Sequence, residues 1–242
     1  KELPKVTFPA NTKILITGTG RVAKGAKEIL DWLEMREVSA EAYRTQTFDT
    51  PVFAMLRSAD YHQHKDGNAW DSHHWHHNPE EYVSTFEQYI GVTDMLIACA
   101  YWNPKAPVLF TNERMQAPDF KISIIADVTC DIDGSIPSTL RPTTITEPYY
   151  DYDPRTHSEV KAFSSDKHIT IMAVDNLPCE LPTDASCDFG EQLEAAVLPA
   201  LLGTADKAIL ERATITKNGK LGAHFQYLAE YAGVTPITAE VE

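Results

Sequence analysis

Apolar residues gather in short runs separated by stretches of helical period. Residues 13–17, Lys-Ile-Leu-Ile-Thr, form a β-branched apolar run that reads as a buried strand. Similar runs at 51–56, 95–99, 122–126 and 168–174 predict four more strands. Between the first two, residues 21–35 place Val22, Ala26, Ile29, Leu30 and Leu33 at spacings of three and four, which predicts an amphipathic helix. Asn78-Pro79-Glu80-Glu81 carries an N-cap residue, a proline suited to the first turn and an acid at the third position, so a helix is expected over 78–90. Residues 134–154 are rich in Pro and Thr and read as irregular chain. A further helix is expected over 190–202, then a turn at Asn218-Gly219 and a short helix over 225–232.

Apolar strands alternating with helices predict an α/β fold: a Rossmann-like, doubly wound parallel sheet with a C-terminal helical tail. The domain is expected to fill residues 1–202, with an insertion at about 58–78 and a tail over 203–242. A chain of 242 residues with 43% hydrophobic and 23% charged residues has ordinary globular composition and length enough for one core. Its net charge of −14 argues against nucleic acid and against an anionic membrane surface as partners. No apolar run approaches the roughly 18 residues of a membrane span. Cys99, Cys130, Cys179 and Cys187 form no C-x-x-C pair and no signal peptide is evident, so a reducing, cytoplasmic setting is expected.

Gly18-Thr19-Gly20-Arg21-Val22-Ala23 fits G-x-G-x-x-[GA] directly after a predicted strand and at the start of a predicted helix. Gly18 permits the tight turn, and Gly20 admits a pyrophosphate. Ala23 and Gly25 let helix and strand approach. The helix N-terminus offers free amides to the phosphates. The acid that usually holds a ribose is missing at the end of the second strand. Arg57 and Ser58 stand there, with Asp60 the first acid, so NAD and NADP are both open as cofactor. Six of the nine histidines lie between His62 and His77. They read as an exposed insertion with incidental metal affinity, and no metal ligands are assigned.

Four ordered segments carry a resemblance: residues 18–25, 127–135, 143–154 and 174–182. They resemble the saccharopine dehydrogenase and lysine-ketoglutarate reductase family, which shares its architecture with alanine dehydrogenase and the nicotinamide-binding part of transhydrogenase. The resemblance implies hydride transfer between NAD(P) and an amino-acid/2-oxo-acid imine, in lysine metabolism. It implies that Gly18, Gly20, Arg21 and Val22 meet the pyrophosphate and ribose, and that Tyr101 belongs to a cofactor loop. It further implies that Asp127 and Val128 neighbour the adenosine side, and that Asp175, Asn176 and Leu177 lie beside the nicotinamide. In that family an N-terminal substrate domain supplies the catalytic Lys and His. This chain therefore reads as the cofactor half, its catalytic residues unassigned, with the tail returning onto that absent domain. An amino-acid or 2-oxo-acid substrate is the implied small molecule, and a homo-oligomer is compatible with the reading. The alternatives are a non-catalytic module responsive to nucleotide or metal, and a domain binding an adenosine-containing methyl donor.

Overall fold

The computed structural model describes residues 6–235 and divides into two compact units, with the break between Leu177 and Pro178. The first unit is built on an eight-stranded sheet of order β2-β3-β1-β6-β7-β10-β8-β9. Its strands are β1 (Lys13–Thr17), β2 (Arg36–Glu37), β3 (Val52–Leu56), β6 (Met95–Ala98), β7 (Ile124–Asp127), β8 (Tyr150–Asp153), β9 (Ser158–Val160) and β10 (Ile169–Met172). The six from β2 to β10 in that order run parallel, and β8 and β9 are added antiparallel at one edge.

All five β1 residues are buried, as expected of a strand covered on both faces. Ile14, Ile16, Phe53 and Ile97 point to one face, where Ala23 and Leu30 of α1 (Arg21–Trp32) cover them. Leu15, Ala54, Leu56 and Leu96 point to the other. There they meet Tyr43 from α2 (Ala40–Thr45), Tyr61 from α3 (Ser58–Tyr61) and Tyr89 from α5 (Glu87–Ile90). The face of α1 that packs is set by Ala23 and Leu30, not by the Val22 and Ile29 positions of the expected stripe. Val22, Ile29 and Trp32 are exposed. Gly25 is exposed too, with open space at its Cβ position, so it plays no part in close helix–strand packing.

Within the first unit the 78–90 and 134–154 segments differ from expectation. Residues 78–90 do not form one helix. A 3-10 turn at Pro79–Glu81 is followed by strand β5 (Tyr82–Ser84), which pairs antiparallel with β4 (His62–His64). The capping signal is real but drives only one turn. Tyr82 then leaves for a small aromatic core with Trp75, Trp70 and Trp102, and α5 resumes at Glu87. The 134–154 stretch contains β8, all four of whose residues are buried. Its acids fit because they are paired: Asp151 accepts from Thr170 Oγ1 at 2.8 Å and from the Ser164 amide at 3.0 Å.

The second unit begins twenty-five residues earlier than the expected tail. Its main helix runs from α6 (Pro182–Gln192) through a π-turn at Leu193–Val197 into α7 (Leu198–Leu201), joined by α8 (Ala208–Ala213). Pro199 has no amide to donate to the preceding turn, which accounts for the widened turn before it. The helix placed in the first domain on its apolar period therefore packs with its own neighbours. Asn218 and Gly219 both have positive φ, 53° and 74°, and close the hairpin of β11 (Thr216–Lys217) and β12 (Lys220–Leu221). In place of the short helix over 225–232 stands a 3-10 segment, Ala223–Leu228, kinked at Phe225. Residues 236–242 of the expected tail lie outside the described residues. Among the described residues no helix is long and apolar enough to cross a membrane.

Candidate functional site

The chain goes from β1 to the edge strand β2, returns to β3 beside β1, and then crosses to β6 on the other side of β1. A doubly wound sheet opens a crevice at such a reversal, outside the carboxyl ends of its strands. A groove of about 330 Å³ lies there, within the range of small-molecule sites. Gly18, Gly20, Arg21 and Val22 form one wall, and Ser58 follows β3. Cys99, Ala100, Tyr101 and Asn103 follow β6, and Trp75, His76 and Pro79 close the rim.

Each wall has a physical cause. Gly18 adopts φ +91°, and a Cβ there would come within 3.2 Å of the Ala100 backbone. Glycine is therefore needed both for the left-handed turn and for the close approach of the two walls. Gly20 is the N-cap of α1 with φ −76°, which any residue adopts, and a Cβ on it would meet nothing within 4 Å. The space it leaves is the groove itself. No side chain caps α1 and no acid stands in its first turn, so its leading amides and the helix dipole face that space. In a chain of net charge −14 the groove lining holds Arg21 and no carboxylate. This donor set suits a phosphate-bearing ligand, whose bridging group would fill the volume a side chain at position 20 would take.

The β6 wall is held by the Cys99 amide, which donates to the Thr17 carbonyl at 3.2 Å. Burial pushes the Cys99 thiol up to about 12, with Asp127 adding to the effect, so it stays neutral. Tyr101 is 86% exposed and free to meet a ligand.

Six of the twelve residues expected to contact a cofactor meet in this groove: Gly18, Gly20, Arg21, Val22, Ser58 and Tyr101. The other six do not line it. Arg57 is tied to Asp60, donating from its backbone N at 2.7 Å and from its guanidinium at 3.0 Å. Asp127 is buried beneath its own loop. It accepts from Thr129 Oγ1 and Thr139 Oγ1, both at 2.6 Å, and from the amides of Thr129 and Cys130. These four donors make it a pin for the turn after β7, and the Val128 amide is bonded to the Ala98 carbonyl. Asp175 and Asn176 are exposed at the carboxyl end of β10, two strands away from β6, with Leu177 following. Asn103 lies with Tyr101 in the loop after β6, and Trp75, His76 and Pro79 were not expected in the groove. The one sequence signal for them was the His/Trp-rich stretch after β3. The structure also corrects the picture of that stretch as an exposed insertion, since His62, His64 and Trp75 are buried.

Comparison with known proteins places this geometry. Residues 7–223 match the family described as "Alanine dehydrogenase/PNT, C-terminal domain". Alpha-aminoadipic semialdehyde synthase of Arabidopsis thaliana is 29% identical over 93% of this chain and 23% of its own length. The mitochondrial alpha-aminoadipic semialdehyde synthase of Rattus norvegicus is 28% identical over 93% of this chain and 27% of its own. Saccharopine dehydrogenase [NAD(+), L-lysine-forming] of Schizosaccharomyces pombe is 28% identical over 48% of this chain and 29% of its own. The chain thus spans about a quarter of the length of the curated relatives it matches. With its mostly parallel Rossmann-like sheet and glycine turn, the chain belongs to the alanine dehydrogenase/PNT C-terminal domain family.

Proposed function

We propose that this chain is the NAD(P)-binding portion of a saccharopine-dehydrogenase-type oxidoreductase that acts on an amino-acid/2-oxo-acid pair in lysine metabolism. The observation that carries the reading is the carboxylate-free groove at the strand-order reversal, where Gly20 leaves a phosphate-sized space before the uncapped amides of α1. In this reading Gly20, Arg21 and Val22 hold the pyrophosphate. Ser58 meets the adenosine ribose, and Tyr101 and Asn103 flank the nicotinamide half. Bound there, a nicotinamide nucleotide supplies the hydride acceptor or donor. The protein's part is to hold its phosphates with fixed donors and to line its path with the neutral Cys99 thiol and the aromatic Trp75. Among the side chains lining the groove there is no Lys, Asp or Glu and His76 is the one imidazole; in this reading the acid–base groups of the reaction come from a further substrate domain.

The Arg57–Asp60 pair gives the reading a cofactor preference. Asp60 is the first acid after β3, and it engages the Arg57 guanidinium that a 2′-phosphate would otherwise draw on. We therefore assign NAD as the preferred cofactor. Trp75 in the groove is the natural reporter. Titration of the chain with NADH and with NADPH, followed by tryptophan fluorescence and calorimetry, is expected to give saturable binding at about 1–100 μM, tighter for NADH. Binding of neither by folded protein overturns the nucleotide assignment, and tighter NADPH binding overturns only the preference.

A further inference from the structure

His64 on β4, His74 on α4 (Ser72–His77) and Glu81 before β5 converge from three separate elements. One ligand atom from each lies within 4.8 Å of the other two. His64 Nε2 is 3.4 Å and His74 Nε2 3.6 Å from the same oxygen, Glu81 Oε2. Those separations are long for hydrogen bonds. They match two donors sharing one ion: ligands about 2.1 Å from a tetrahedral zinc stand about 3.4 Å apart. We propose that His64, His74 and Glu81 form a binding site for a divalent transition-metal ion of the zinc class, with water in the fourth position.

The surroundings support such a site. His74 Nδ1 lies 3.2 Å from Tyr82 Oη, and that hydroxyl donates to the Asp71 carbonyl at 3.4 Å. The Nδ1 proton is thereby committed to Tyr82, and Nε2 is left with its lone pair toward Glu81, as metal-bound imidazoles require. Asp71 also caps α4, its Oδ1 accepting from the His73 and His74 amides, which fixes where His74 stands. His64 is 7% exposed and held against the ring of Tyr82. Two imidazoles and a carboxylate are a zinc donor set, and neutral His with ionised Glu leaves the ion one net positive charge.

One contact opposes loading. The Asp66 amide donates to His64 Nδ1 at 3.1 Å, so the apo ring carries its proton on Nε2. Binding moves that proton to Nδ1 and gives up the Asp66 bond, which weakens the site about tenfold relative to a preformed one. The site stands whether or not the groove binds nucleotide. Its placement still bears on the groove, because α4 carries Trp75 and His76 into the rim and the ion would fasten α4 to the β4–β5 hairpin.

The test uses the untagged chain, stripped with a chelator and dialysed, then titrated with zinc sulfate against a chromogenic competitor. One equivalent is expected at micromolar or tighter Kd, and zinc at a hundredfold excess over Kd should raise Tm by about 5–10 °C. His74→Ala, at a part-buried position, and Glu81→Gln, at an exposed one, should each weaken binding at least tenfold. The double variant His73→Ala/His77→Ala removes the exposed stacked pair on the same helix and should leave binding within twofold. Cobalt(II) should give the visible absorption of a four-coordinate ion, lost in His74→Ala. Absence of stoichiometric binding overturns the proposal. So does binding lost only in the His73/His77 variant, which would mark an adventitious ion only. Circular dichroism confirms that each variant folds, and Glu81→Gln alone decides the matter if His74→Ala does not.

Discussion

Gly20→Ala separates the ligand's need for space from the fold's. The backbone at Gly20 has φ −76° and ψ −168°, which alanine adopts without strain. Its Cβ would touch no atom within 4 Å. Reduced freedom of the unfolded chain favours the variant by about 0.4–1 kcal/mol, and the poorer N-cap costs about as much, so Tm should move by less than about 3 °C. The methyl instead occupies the place of the pyrophosphate. Losing one charge-assisted hydrogen bond to the α1 amides costs about 2 kcal/mol, or about thirtyfold in Kd. Gly18→Ala should behave in the opposite way. At φ +91° a Cβ costs about 1–2 kcal/mol, and the Ala100 backbone 3.2 Å away must shift as well. A Tm fall of about 4–8 °C is expected. Thermal melts and NADH titrations of both variants make the comparison. If Gly20→Ala binds NADH as wild type does while remaining folded, the α1 amides do not hold the phosphates and the reasoning fails.

Asp127→Asn should lower Tm by about 4–12 °C, because an amide NH2 would face donors that a carboxylate accepts, while any nucleotide affinity of the folded protein should stay within threefold. A large loss of affinity at unchanged Tm would return Asp127 to the binding site. His62 is buried against Trp75, and burial lowers its pKa from 6.5 to about 4. The unfolded chain therefore binds a proton that the folded chain refuses between those values. Its contribution is intact above pH 6.5 and is lost as pH falls toward 4, by up to about 3 kcal/mol. Urea denaturation at pH 7 and pH 5 should show a smaller loss in His62→Phe than in wild type, and equal losses would exclude His62 as the source. Cys179 and Cys187 are exposed, whereas Cys99 is part-buried with its thiol pushed up to about 12. A thiol reagent at pH 8 should label two sites rapidly and Cys99 much more slowly. Prompt modification of Cys99 would show that the β6 wall opens.

Burial on both faces made the central strands legible. Runs such as Ile14-Leu15-Ile16 and Leu96-Ile97-Ala98 need no periodicity to be read. β8 was not legible, since Tyr150-Asp151-Tyr152-Asp153 is buried only because distant partners such as Thr170 satisfy its acids. The 78–90 segment misled because a sound cap says where a helix starts and nothing about how far it runs. β5 exists through its pairing with β4, a contact made eighteen or more residues away. The candidate site divides in the same way. The glycine wall is local chemistry written in six consecutive residues. Trp75 and His76 reach the groove only through topology, and Asp127, set beside the adenosine by family resemblance, is buried and bonded within its own loop, which one dimension does not show.

The crossing from one side of β1 to the other has a kinetic consequence. The amide of Cys99 and the hydroxyl of Thr17 meet at 3.3 Å across 82 residues of chain. The two walls of the groove therefore cannot close until β3, the β4–β5 hairpin and β6 have all been placed. Such long-range parallel pairing carries a loop-closure cost before any contact offsets it and forms late in folding. The β1 edge that later accepts β6 is an open row of amides and carbonyls in any earlier intermediate. On a ribosome adding about 5–20 residues per second, it stays open for about 4–16 s after β1 emerges. Nucleotide cannot template this step, because the cradle it would recognise does not exist until β6 has paired with β1.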